Sequence, residues 1–233
     1  MTETQDFGQA WLAKLSNGLR ETAGEEVCAQ VMAGSEGLSA ASSPQEVIAW
    51  TQAAMARLEA LVSKEDRQDI MTGCACQVPR SSLQETKRIY QETSEIDAAH
   101  RILQSQFASF LRETIGLDGQ QVAEILAEGW GVAGVRQGQT IVATKIPKSG
   151  YLRQYLEEPD PQRRRETYCH CPRVRDAPAL SEPVSAIYCY CGAGFYKGIW
   201  EAILGQPVQV ELLESVLAGG DVCTVAIHLP RTP

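Results

Sequence analysis

The chain has 233 residues, 44% of them hydrophobic and 21% charged, with a formal net charge of −8 and a pI of about 5.0. That balance is ordinary for a folded globular protein, so disorder is not the default; the acidic excess argues against broad binding to nucleic acid or anionic membrane, which needs a basic surface. Met1-Thr-Glu-Thr-Gln-Asp6 has neither the basic start nor the apolar core of a secretory signal, and no run reaches the ~18 apolar residues of a membrane span, so a cytoplasmic protein with reduced thiols is expected.

Up to about Trp130 the sequence reads as helices. Ser43-Pro44-Gln45-Glu46 is a capping box with proline in the first turn, and Val47, Ile48, Thr51, Met55, Leu58 and Val62 follow at helical spacing. Ser63 to Asp66 opens another helix running toward Met71. Ser94 with Asp97 predicts the cap of a helix carrying Ile96, Ala99, Leu103, Phe107 and Phe110, ended by Gly116. Asp118 with Gln121 opens one more, carrying Val122, Ile125 and Leu126. The glycine-rich Gly129 to Gly138 then changes the pattern, and it interrupts any DNA-reading helix pair over Val122 to Arg136. Gln139 to Ile146 alternates as a strand, with Ile141 and Ala143 on one face. Pro159 to Pro161 and Pro172 to Pro183 read as irregular. Phe195, Ile199 and Ile203 mark a helix closed by Gly205 and Pro207. Val208, Val210 and Leu212 form a half-buried strand, Ala218-Gly-Gly-Asp221 a hairpin turn, and Cys223, Val225, Ile227 and Leu229 the returning strand. The expected fold is α+β: a helical region over 1–130, then a cysteine-rich mixed domain with an antiparallel sheet over 139–233.

Chemistry concentrates in the eight cysteines. Six form Cys-x-Cys doublets, Cys74/Cys76, Cys169/Cys171 and Cys189/Cys191, where a random scatter would give ~0.3 such doublets. In extended backbone, residues i and i+2 share a face, so both sulfurs of a doublet can address one centre; in a helix they diverge by roughly 200°. Six thiols, with His170 between two of them, can supply the four ligands of a zinc ion or, as the second choice, an iron–sulfur cluster. Cys28 and Cys223 sit at apolar-face positions and read as structural. Redox-active disulfides and unrelated buried thiols are the competing readings of the doublets.

Basic residues surround the second doublet. Arg163, Arg164 and Arg165 precede it and Arg173 and Arg175 follow, and cations favour a thiolate or hold an anion. A solvated basic loop is the simpler reading of Arg163 to Arg165. After the third doublet, Gly192-Ala-Gly194 opens a helix on which Phe195, Tyr196 and Trp200 line either a pocket or the core. His100 and His228, the histidines outside the doublets, fall by pattern on an exposed helix face and across a strand from the thiols.

The last forty-odd residues resemble the 4-vinyl reductase domain, a small-molecule-binding fold. The likeness rests on the helix ending at Gly205, Val208-Gln-Val210, Glu214, Gly219-Gly220 and Cys223-Thr-Val-Ala-Ile227. That family has a cysteine shortly after the glutamate; here Ser215-Val216-Leu217 follows Glu214, so that thiol is missing and the doublets stand in its place. The layout is also similar to amino-thiazoline-carboxylate hydrolase-like proteins, which implies thiol-dependent hydrolysis. The expectation is therefore a metal- or small-molecule-binding sensory protein with all six doublet cysteines as metal ligands and Tyr168, Arg173, Phe195, Tyr196 and Glu214 around a small ligand. A thiol-dependent hydrolase of a small substrate is the rival, and a homodimer is left open.

Overall fold

The computed structural model describes residues 7–148, 151–169, 171–177 and 184–230; His170 lies outside them, as does the second half of the stretch Pro172 to Pro183. The architecture is α+β, with nine helices among the described residues and one four-stranded antiparallel sheet. The helices are α1 (Phe7–Met32), α2 (Pro44–Leu61), α3 (Lys64–Gly73), α4 (Gln84–Thr93), α5 (Ile96–Phe110), α6 (Gly119–Ala127), α7 (Leu152–Glu157), α8 (Pro161–Tyr168) and α9 (Tyr190–Leu204). The strands are β1 (Val135–Gln137), β2 (Thr140–Thr144), β3 (Gln209–Glu214) and β4 (Thr224–His228), in the order β1-β2-β4-β3. None of the described helices is long and apolar enough to cross a membrane.

Local chemistry sets most boundaries. The Ser43 and Asp118 capping boxes both form, and Ser63 accepts a hydrogen bond from the Asp66 N–H at the start of α3. Ser94 does not cap α5. It closes α4 instead, in the left-handed conformation (φ 56°), donating its N–H to Tyr90 O at 2.8 Å, while Glu95 takes the α5 N-cap without a side-chain bond. A π-helical turn, Leu111–Ile115, extends α5 before left-handed Gly116 ends it. Pro159 to Pro161, read as irregular, leads straight into α8, because Asp160 accepts from the N–H groups of Gln162 and Arg163 and Pro161 fits the first turn.

Three apolar clusters each draw on residues from both sides of Trp130. The first joins α1, α2 and α3 to Val174, Val184, Ile187 and Tyr188. In the second, α4 and α5 pack with the sheet and α9 around Ile141, Ala193, Trp200 and Ile227. The third packs α6, α7 and α8 against the end of α5 and Val216. The helical half comes close to α9 at Gly194, where an added Cβ would lie 2.0 Å from Thr72 O in α3. Glycine is required there because backbone, not a yielding side chain, fills the space. Gly194→Ala is expected to force α3 and α9 apart and lower the unfolding free energy by about 2–3 kcal/mol, read from the urea midpoint; an unchanged midpoint would show that the contact is not that tight.

Candidate thiolate site

The sulfur atoms that meet come from four separate chain positions. Cys169 is the C-cap of α8 in extended backbone (ψ 113°), and Cys171 begins the following turn, its carbonyl accepting the N–H groups of Val174 and Arg175 at 3.0 and 2.9 Å. Cys189 ends a 3-10 turn, Ala186–Cys189, and forms the N-cap of α9. Cys223 leads into β4. Together with Lys145, Tyr168, Tyr196 and neighbouring apolar residues they line a cavity of about 20 Å³, room for roughly one water molecule. All eight cysteines are free thiols.

The cation of the site is Lys145, just past the end of β2. Its Nζ donates to Cys171 Sγ at 3.2 Å, and its backbone N–H donates to Cys223 O at 2.8 Å. The Tyr168 hydroxyl ties the same corner together: it donates to Lys145 O and accepts from the Cys223 N–H, the latter at 2.9 Å. Burial raises the Tyr168 pKa well above the phenol value, which keeps that donor protonated.

The thiols sort into two unequal pairs. A hydrogen bond with Cys169, followed by the Lys145 charge, outweighs burial and pulls the Cys171 pKa down to about 5, while the same bond, with burial, pushes Cys169 up. Cys223 is lowered chiefly by its bond with Cys189, and Cys189 is raised by that bond and by burial. Burial lowers the Lys145 pKa, but the neighbouring thiols, Cys171 first, outweigh it and hold the ammonium well above the ordinary lysine range. In each pair one thiol is thus drawn toward the thiolate and its partner toward the protonated form, most strongly at Cys171, with an ammonium beside them.

The other doublet sulfurs lie elsewhere. Because α9 starts at Tyr190, Cys189 and Cys191 point apart: Cys189 faces the cavity, and Cys191 packs against the α1–α3 cluster beside Trp11 and Cys74. Burial pushes Cys191 up to about 12. Cys74 is buried as the C-cap of α3, its thiol donating to Ile70 O at 3.3 Å, and burial raises it further still. Cys76 is exposed and lines a different cavity together with Phe195. Among the described residues no three His, Cys, Asp or Glu side chains are arranged to hold a metal ion.

The remaining expected ligand residues divide in the same way. Tyr168 and Tyr196 line the thiol cavity. Arg173 is buried away from it, its guanidinium 4.8 Å from the Trp11 ring centre and 5.8 Å from that of Trp50, with Nη2 donating to Gly8 O at 2.8 Å. Glu214 organises the β3–β4 turn by accepting the N–H groups of Asp221 and Val222 at 2.8 and 3.3 Å. Arg165 caps that turn from outside, through Gly219 O at 2.7 Å. His100 is not on an exposed face: it is buried, bonded to Gly134 O at 3.2 Å and stacked on Trp200. Sequence reading passed over Lys145 and took Cys223 as structural, whereas both line the cavity; for the lysine a signal existed. Lys145 continues the inward-facing alternation of Ile141 and Ala143, so a charge was due on a buried face.

Residues 163–232, under a third of the chain, match a family described as of unknown function, DUF6144. The match includes all four cavity cysteines and Tyr168 and leaves out Lys145. No curated protein and no solved structure matches the chain.

The charge state makes folding stability pH-dependent. Cys171 is a depressed thiol, so its contribution is complete above the unfolded thiol pKa of ~8.5 and is lost as pH falls through about 5. Cys169 and Cys189, being raised, contribute below ~8.5 and lose that as pH rises further. Unfolding free energy is therefore expected to climb from pH 5 toward 8.5 and to fall beyond it. Cys171→Ser should flatten the climb by a fraction of the ~1.4 kcal/mol per pH unit that one proton can supply. Denaturant titrations across that range measure it; equal slopes in both proteins would place Cys171 among ordinary thiols.

Proposed function

We propose that the protein acts as a thiol-dependent hydrolase on a small electrophilic substrate, with Cys171 as nucleophile and Lys145 as its charge partner. The observation that carries this reading is the 3.2 Å hydrogen bond from Lys145 Nζ to Cys171 Sγ in a cavity lined by three further cysteines. A thiolate is the reactive form of cysteine, and a neighbouring cation maintains it at neutral pH. Cys171 then needs no histidine base, which suits a chain whose described histidines are engaged elsewhere, His100 with Gly134 and His228 with Thr140 and Glu211.

The chemistry balances within the site. Cys171 Sγ bonds to an acyl-type carbon, the bond to the leaving group breaks, and the leaving group takes a proton from the Lys145 ammonium. That transfer becomes favourable as the reaction proceeds: bonding consumes the nearest thiolate charge, and burial then favours the neutral amine. Water next splits the thioester, the acid departs, and the thiol proton returns to Lys145, restoring thiolate and ammonium. The present cavity accommodates the water, and a substrate would enter only if the lining parted. The likeness to amino-thiazoline-carboxylate hydrolase-like proteins points the same way, and a reducing cytoplasm would keep the nucleophile free.

A second reading, zinc binding, is favoured by one observation: the cavity is small and Cys169, Cys171, Cys189 and Cys223 all line it, although as placed no three of them are arranged to hold an ion, so binding would have to draw them together. Those four would be the ligands, with Cys74, Cys76 and Cys191 outside the set, and the lysine would compensate their charge.

Alkylation with limiting iodoacetamide followed by peptide mapping separates the readings. Cys171 should label at least tenfold faster than Cys74 or Cys191 at pH 7, and Lys145→Met should move the midpoint of its pH–rate profile upward by more than one unit. Labelling of Cys171 that trails exposed Cys76 and ignores Lys145→Met would sink the nucleophile. Stoichiometric zinc in protein purified without chelator, lost in Cys171→Ser and Cys223→Ser, would establish the second reading in its place.

A further inference from the structure

We infer that the protein carries a second site, distinct from the thiol cavity, that binds a small amphipathic anion: a carboxylate or similar monoanion attached to an aryl or acyl body. The cavity lies between the segment running from Cys76 into α4 and the outer face of α9, and it has a volume of about 570 Å³. That is within the range of small-molecule sites, and far larger than the space beside Cys171.

Its lining separates by chemistry. Val78, Leu83, Phe195 and Ile199 supply apolar surface, Leu83 and Ile199 being buried and Phe195 and Val78 half-buried. Arg80 and Lys87 supply two exposed cations at the margin, and among the described residues neither forms an ion pair. In a chain of net charge −8, two cations without carboxylate partners beside one concave apolar surface complement an anion with an apolar body. The acid in the lining, Glu201, is already engaged, accepting the Val208 N–H at 3.2 Å, so it holds β3 to the end of α9. An arginine fork matches a carboxylate in two bonds, and a lysine adds a point charge. Burial of the body against Phe195 and Leu83 supplies the rest of the affinity.

Two features make the site testable without disturbing the fold. Gly198 lines the cavity from the exposed face of α9, and a Cβ built there meets nothing within 4 Å. A leucine at this position enters the cavity, and it favours the helix more than glycine does. Cys76, exposed and in the lining, reports occupancy through its own alkylation.

The probe is 8-anilinonaphthalene-1-sulfonate, an aryl body with one fixed negative charge, titrated into the full-length protein by fluorescence. Saturable binding of one equivalent is expected, with Cys76 alkylation slowed at least threefold at saturation. Gly198→Leu should weaken binding tenfold or more while its urea midpoint holds or rises. The double substitution Arg80→Gln, Lys87→Gln should weaken binding three- to tenfold and reduce its salt dependence. Binding that survives Gly198→Leu, ignores the double substitution or leaves Cys76 unprotected overturns the inference. Because none of these positions touches the thiol cavity, Cys171 reactivity is expected to be unchanged in every variant, and a failure here leaves the nucleophile reading standing.

Discussion

An ammonium held among sulfur atoms is the interaction on which the rest of the site depends. Removing Lys145 from water costs free energy, and the fold recovers that only through anions at short range, for which Cys171 at 3.2 Å is the nearest. The dependence runs both ways. Cys171 would resist ionisation in its enclosed position without a hydrogen bond from Cys169 and a charge from Lys145. Each group favours the charged form of the other, Lys145 by lowering the Cys171 pKa alongside Cys169, and Cys171 by raising that of Lys145. A single substitution therefore changes two charges, and coupling between Lys145 and Cys171 should be strongly non-additive.

The scaffold delivers this pair through backbone bonds at one corner of the sheet. Thr144 ends β2 opposite Thr224 of β4, so Lys145 and Cys223 lie side by side just beyond the paired register. Their main chains bond directly, and the Tyr168 hydroxyl bridges them from the end of α8. Tyr168 thus sets the distance between Cys169, one residue away, and the two strands. From the opposite side α9 brings Cys189, its depth against α3 being fixed by the absence of a side chain at Gly194. Ser215, close enough to bond Cys189, follows directly on β3. Sheet corner, α8 and α9 each provide part of the cavity; the sheet and α9 share the second apolar cluster, and Tyr168 anchors α8 in the third.

Legibility in the sequence followed the range of the interaction. The α2, α3 and α6 starts were readable because a serine or aspartate three residues before an acid or amide settles a helix end locally. The β3–β4 hairpin was readable from alternation and its glycine turn. Ser94 misled, since a serine between two helices can serve the C-terminus of one as well as the N-terminus of the next; here the left-handed conformation claimed it. The thiol cavity was legible only in part. Cys169, Cys171 and Cys189 stood out by spacing, but Lys145 is separated from Cys171 by 26 positions and no local motif marks it. Cys223 looked like one more inward-facing apolar residue, which it also is: alternation with Val225 and Ile227 put it on the buried face, and the buried face at that height is the cavity.

Why the doublets share a spacing but not a role follows from backbone geometry. Cys-x-Cys places both sulfurs on one side only where the chain is extended, and the three doublets differ in that respect. Cys169 leaves a helix in extended conformation and keeps Cys171 beside it, so the two thiols bond and their proton affinities diverge. Cys189 and Cys191 straddle the first turn of α9, which sends one sulfur to the cavity and the other into apolar packing. Cys74 ends a helix with its sulfur turned to Ile70 O, while Cys76 emerges at the surface. Burial acts on all the enclosed sulfurs alike, raising their pKa. What distinguishes Cys171 is a cation in direct contact, and that contact is made by a residue outside every doublet. The sulfur with a cation beside it is therefore selected by the residue that follows β2, and cysteine spacing alone would have assigned equal standing to six sulfurs of which one has that partner.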